Sequence, residues 1–179
     1  SEELAVGAVV QRIKNPDNEV FVAKVSPSGE ALFLTYLGGN GPDTARAVAL
    51  DPSGNIFVAG TTASKDFPTR NPIQAAASTT GDVDGFVSQI SASGTDLLFS
   101  TYLGGTGTDA GRGIAADMTG AYVTGGTASA DMAVTNGSAL GGLQDAFYAK
   151  LSSTCTYSTT PASPITVAGA GGAQTINVT

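Results

Sequence analysis

Apolar and polar residues alternate with period two along much of this chain, and the alternation returns at long intervals. "VFVAKVSPSG" (residues 20–29), "GFVSQISASG" (85–94) and "AFYAKLSS" (146–153) place Phe21, Phe86 and Phe147 at matched positions. Alternation of this kind marks a strand with two distinct faces. One face runs Phe21/Ala23/Val25, then Phe86/Ser88/Ile90, then Phe147/Ala149/Leu151: large, small, large each time. The opposite face carries Lys24, Gln89 and Lys150. A second strand matches Phe33/Thr35/Leu37 with Phe99/Thr101/Leu103. Packing against a neighbouring sheet requires a face held at matched register, so both series are predicted to be buried.

The intervals are longer than any single element. "TYLGGNGPDTARAVALDPSG" (35–54) and "TYLGGTGTDAGRGIAADMTG" (101–120) are near copies, as are "NIFVAGTTASKDFP" (55–68) and "AYVTGGTASADMA" (121–133). Self-similarity at this period is the mark of a repeat architecture. "SPSGE", "DPSGN", "SASGT" and "DMTGA" supply the turns. Pro27 and Pro52 suit the second position of a type I turn, and Gly29, Gly54, Gly94 and Gly120 the left-handed position of a G1 bulge. Asp51 and Asp117 sit where a carboxylate accepts a backbone N–H within the turn. One unit then holds four strands: a at 46–51, b at 55–61, c at 85–91 and d at 97–103. The a–b and c–d links are tight. The b–c link, 62–84 and again 128–145, is long, and loops of that length tend to carry function or to be disordered.

A four-stranded antiparallel meander repeated in this way describes a β-propeller blade. "AVALDPSGNIFVAGTT", "DGFVSQISASGTDLLFSTYLGG" and "DFPT" resemble the bacterial SBBP-type β-propeller repeat and, more distantly, NHL-type blades. The resemblance covers residues 20–151. The second copy departs from it: "DMAVTNG" stands in place of "DFPTRNP", one residue is lost after Gly120, and no TYLGG strand follows Leu151. The expected fold is all-β, with about two and a half blades of an incomplete propeller in residues 1–153. Residues 154–179 form a linker or the first hairpin of another module. "C-x-Y-S-x-x-P", a Gly-rich turn and "TINVT" are similar to the start of a BACON-type Ig-like module, which implies an extracellular, often carbohydrate-linked setting.

Propellers close with 4–8 blades. Two and a half leave apolar faces and strand edges open. The expectation is a segment of a longer propeller, or self-association that covers those faces.

Composition narrows the function. Net charge is −7, with Lys+Arg at 8 and no basic cluster, which argues against nucleic acid or an anionic membrane as partner. No apolar run reaches the roughly 20 residues of a membrane span. There is no His, so Ser-His-Asp and Cys-His arrangements and His-containing zinc sites are absent from these 179 residues. Cys155, the one Cys, reads as a small buried hydrophobe. "GGTGTDAGRG" is Gly-rich but lacks the GK[ST] of a phosphate loop.

The d–a links and long b–c loops are predicted to share one rim, the default place for a ligand. There Asp43/Arg46 and Asp109/Arg112 repeat as D-x-x-R, either a polar ring at the channel mouth or a repeated ion pair or loop hydrogen bond. Asp66, Thr69 and Arg70 lie on the first long loop, placed to touch a sugar or a carboxylate or simply to solvate the loop. Asp43 with Asp66 is formally available as a carboxylate pair for glycoside chemistry, without diagnostic spacing. "GDVDG" sets Asp82 and Asp84 in a D-x-D-G pattern that hints at calcium, but the later ligands of such a loop are missing. Glu19, Asp84 and Asp145 each precede a Phe strand, which reads more simply as a strand-start or interblade pairing device. No cofactor is expected. The role expected is a non-catalytic, secreted or surface scaffold that binds protein or carbohydrate. A polysaccharide lyase or glycosidase whose site lies mostly elsewhere is the alternative.

Overall fold

The strands fall into three antiparallel sheets that stack face to face. In the computed structural model the described residues are 10, 18–78, 83–132 and 143–152, with the backbone alone at 165–169 and 172–177. Blade 1 is the pair β1 (Val20–Val25) and β2 (Ala31–Leu37). Blade 2 is complete: β3 (Asp43–Leu50), β4 (Ile56–Thr62), β5 (Asp84–Ile90) and β6 (Leu97–Leu103), paired in chain order. Blade 3 has β7 (Asp109–Asp117), β8 (Gly120–Thr127) and β9 (Asp145–Ser152). The hairpin β10 (Ile165–Gly169) and β11 (Gly172–Asn177) extends it. β11 pairs with β9 through Ile176 opposite Leu151, and so fills the fourth position of that sheet. Cys155 lies outside the described residues.

All elements among the described residues are strands, as the alternation predicts, and β6 falls on the predicted bounds. The turns also follow the prediction at Gly29, Gly54 and Gly94, whose φ values of 87°, 81° and 79° only glycine adopts without strain. Asp51 accepts the N–H groups of Ser53 and Asn55, and Asp117 that of Thr119. Gly120 corrects the reading. With one residue fewer, Asp117 pairs directly with Gly120 and φ there is 140°, so the link is a two-residue hairpin without the bulge. A side chain at Gly120 would run into the Leu151 carbonyl of β9.

Each blade has a leading face, toward the blade before it, and a trailing face, toward the blade after. The trailing face of blade 1 (Val20, Val22, Phe33, Leu37) packs on the leading face of blade 2 (Ile56, Val58, Phe86, Ile90, Tyr102). The trailing face of blade 2 (Phe57, Ala59, Val87, Phe99, Leu103) packs on the leading face of blade 3 (Ala121, Val123, Phe147, Ala149, Leu151). Blade 2 is thus covered on both sides and β5 is buried at every position, where a single buried face was predicted.

The larger correction is Phe21. Phe86 and Phe147 are buried, but Phe21 is 65% exposed, and Ala23 and Val25 are exposed with it. The alternation assigned these residues to one face correctly. It did not say whether another sheet lies against that face, and among the described residues none does.

Candidate functional site

Two loops meet on one rim of each junction, and the same knot of polar groups ties them in both copies. In blade 2 the Asp43 carboxylate accepts the Gly39 N–H at 2.9 Å and the Ser64 hydroxyl at 2.9 Å, while Ser64 Oγ accepts the Gly41 N–H at 2.8 Å. In blade 3 Asp109 accepts from Gly105 N at 2.8 Å and Ser129 Oγ at 2.6 Å, and Ser129 accepts from Gly107 N at 2.8 Å. Asp66 and Asp131 clip the same links from the other side. Asp66 accepts from the backbone and side chain of Asn40, and Asp131 from those of Thr106. Hydrogen bonds from Thr106 hold the Asp131 carboxyl below the usual range. These four acids order turn backbone that would otherwise lack partners.

The D-x-x-R pattern separates on folding. Asp43 and Asp109 are buried in the knot. Arg46 and Arg112 are exposed, and each is the extra residue of a β-bulge, between Ala45 and Ala47 in β3 and between Gly111 and Gly113 in β7. A bulge re-aims the side chain it carries. The loop-hydrogen-bond reading therefore describes the aspartates, and the arginines stand apart from them on the innermost strands.

Thr69 and Arg70 are not on the rim with Asp66. The loop leaves the rim at Phe67, whose ring inserts between Phe86 and Tyr102 with centroids 4.6 and 6.0 Å away. It then runs down the outer edge of β6, with Arg70 and Ser100 exchanging backbone hydrogen bonds and Ile73 N donating to Thr101 Oγ1. Thr69 and Arg70 line an open pocket beside Val10, Asp96 and Leu98 at the far end of the blade. The long loop is in large part an edge cover. Tyr102 secures its start, accepting from Phe67 N and donating to the Ser64 carbonyl; burial pushes its phenol up to about 12. Met132, buried, takes the place of Phe67 in blade 3.

The acids read as a strand-start or interblade pairing device meet the knot aspartates at the blade junctions, a juxtaposition the sequence reading did not draw. Asp109 N donates to Val83 O, and Asp43 N to Asn18 O, so each knot aspartate sits beside the acid that opens the preceding c strand. Asp84 and Asp109 are both at most 2% exposed. Asp84 Oδ2 accepts the Ser78 N–H at 2.7 Å, while among the described residues Asp84 Oδ1 and Asp109 Oδ1 have no hydrogen-bond partner. Burial first, and the neighbouring Asp109 charge after hydrogen bonding, shape the raised Asp84 pKa; burial likewise raises that of Asp43. Asp82 lies outside the described residues. The signal for this pairing was in the repeat itself, since Glu19/Asp43 and Asp84/Asp109 keep nearly the same spacing.

A family model described as SBBP, a beta-propeller repeat, matches residues 32–68. That stretch spans β2, β3, β4 and the loop to Phe67. In that stretch the chain is similar to the SBBP type of propeller repeat. No curated protein matches the chain. The SBBP stretch crosses a blade junction, so one repeat unit joins the outer strand of a blade to the inner pair of the next and contains Asp43, Ser64 and Asp66, the knot acids and serine.

Proposed function

We propose that this chain is a non-catalytic interaction scaffold whose open blade face is its principal contact surface. The observation that carries this reading is the leading face of blade 1. On that face Phe21 and Val25 are more than half exposed, as are Val48 and Leu50 of β3 in blade 2, and an apolar groove of about 330 Å³ runs between β1 and β3 past Phe21, Ala45 and Val48. At the matched positions of blades 2 and 3 the same residue types are covered by the preceding sheet. Apolar faces of this kind mark contact sites. The face fits another blade, from the same parent chain or from a second copy.

Arg46 borders that groove and Arg112 repeats it one blade on. Exposed arginines held at bulges favour a partner with acidic groups, such as an acidic polysaccharide or an acidic protein segment. The acids of the rim are engaged in turn backbone, which supports a scaffold over a hydrolytic pair. A secreted or cell-surface setting in a bacterium is part of this reading; the bacterial source rests on the resemblance of the repeat and the extracellular setting on that of the tail.

Sedimentation velocity over a range of concentrations tests it, beside a glycan array and a polysaccharide-cleavage assay. The expected result is self-association that Phe21→Ser weakens, with array binding that Arg46→Ala and Arg112→Ala reduce. A chain that stays monomeric throughout and binds nothing overturns the reading. Cleavage that survives in the preparation and is lost on replacing Asp43 or Asp66 would replace it with the enzymatic one.

A further inference from the structure

We propose that the open pocket at the far end of blade 2 binds a uronic acid residue of an acidic saccharide, with Arg70 taking the carboxylate and Asp96 and Thr69 the ring hydroxyls. The cavity measures about 660 Å³, within the range of pockets that hold small ligands, about 300–1,000 Å³. It shares no lining residue with the apolar groove beside Arg46.

Two walls form the pocket, the loop at 68–71 and the start of β6 with its turn at 95–98. Each is tied to the other. Arg70 N donates to Ser100 O at 3.0 Å, and Ser100 N to Arg70 O at 2.8 Å. Ser100 Oγ donates to the Pro68 carbonyl at 2.6 Å, and Asn71 Nδ2 to that of Leu98 at 3.3 Å. Asn71 has a φ of 46°, a conformation uncommon outside glycine and one that gathers at ligand sites. Walls held in this way leave little to order when a ligand enters.

The repeat separates what the fold needs from what it does not. The structural contacts of Arg70 are made by its backbone. Its side chain is exposed, and among the described residues no group pairs with the guanidinium. In the second copy, where "DMAVTNG" stands for "DFPTRNP", Asp131 and Met132 keep the places of Asp66 and Phe67, while Val134 and Thr135 replace Thr69 and Arg70. The clip and the buried side chain recur; the hydroxyl and the guanidinium at the pocket do not.

The chemistry of the walls selects the ligand. A guanidinium pairs with a carboxylate through two parallel hydrogen bonds. Asp96 Oδ2 accepts the Thr95 hydroxyl at 2.5 Å, and a carboxylate accepts further donors such as sugar hydroxyls. The Asp96 charge also opposes a second ligand carboxylate, and the net charge of −7 opposes a polyanionic peptide. Pro68 and Leu98, the latter 38% exposed, offer apolar surface to the C–H face of a ring. One carboxylate set among several hydroxyls on a pyranose meets all of these groups.

The test uses the full 179-residue chain, with trigalacturonate, its methyl ester and hexaglutamate as probes in isothermal titration. Trigalacturonate binds the parent. Arg70→Thr, the residue of the second copy, weakens it about 10- to 100-fold. The melting midpoint of that variant stays within about 2 °C of the parent, since the backbone exchange with Ser100 remains. The methyl ester binds more weakly and to the same extent in both chains, which a disturbed fold would not produce. Undiminished affinity in Arg70→Thr, or no binding of trigalacturonate to the parent, overturns the proposal. Tighter binding of hexaglutamate overturns it in favour of an acidic protein segment. Should the variant not fold, phenylglyoxal modification of the parent, read arginine by arginine in a digest, gives a second readout. Protection of Arg70 by trigalacturonate supports the site. Protection of Arg46 or Arg112 in its place moves the ligand to the innermost strands and overturns it.

Discussion

The two outermost faces of this molecule are built from matched residues and have opposite chemistry. On the leading face of blade 1, Phe21, Ala23 and Val25 keep the large, small, large apolar series that blades 2 and 3 bury. On the trailing face of blade 3, Tyr122, Thr124, Tyr148 and Lys150 stand where blade 2 has Phe57, Ala59, Val87 and Gln89. Every one of these exchanges adds a polar group or a charge. The two tyrosine rings stack at 6.3 Å, Lys150 Nζ lies 4.9 Å from the Tyr122 centroid, and the Tyr122 hydroxyl donates to Asp117 at 2.8 Å. One face is made to be covered by a like sheet. The other solvates itself, as the end repeat of a solenoid does.

The comparison breaks most sharply at the matched phenylalanines. Phe86→Ala empties a buried site beside Phe67 and should cost about 3–5 kcal/mol in urea unfolding. Phe21→Ala should stay within about 0.5 kcal/mol at dilute concentration. A Phe21→Ala cost close to that of Phe86→Ala would mean that the leading face is already covered in solution.

Tyr102 gives the next largest effect. Tyr102→Phe strands the Phe67 N–H and the Ser64 carbonyl, and should cost about 1–3 kcal/mol. Its folded pKa of about 12 stands above the ordinary value of 10. Stability from the neutral phenol is therefore complete below pH 10 and lost as pH rises toward 12. Tyr102→Phe should flatten that alkaline limb.

These contrasts also show what the sequence could and could not convey. Periodicity and spacing gave the strands, the turn glycines and the order of blades, because those depend on local backbone chemistry repeated at fixed intervals. The fate of Phe21 depends on a neighbouring sheet, which period two does not encode. The course of 68–74 along β6 depends on Thr101 and Ser100, some 30 residues distant. The D-x-x-R pattern was visible, but that Asp43 turns inward and Arg46 outward follows from a bulge that only the pairing with β4 reveals.

The smallest predicted effect tests whether the trailing face does solvate itself. The Asp117 carboxyl is held down to about 2, first by the Thr119 hydroxyl and backbone N–H, then by Tyr122. A carboxylate with a depressed folded pKa stabilises the fold above its ordinary pKa of about 4, and that contribution fades as pH falls toward 2. Asp117 is partly exposed, so solvent screens the effect. Melting midpoints measured between pH 5 and 2 should drop slightly less in Asp117→Asn than in the parent. Tyr122→Phe should remove only part of that difference, because the two Thr119 bonds remain. Acid profiles that coincide for all three chains would show that the Tyr122–Asp117 contact adds nothing at this face, and that its polar residues keep it soluble one by one, without a network.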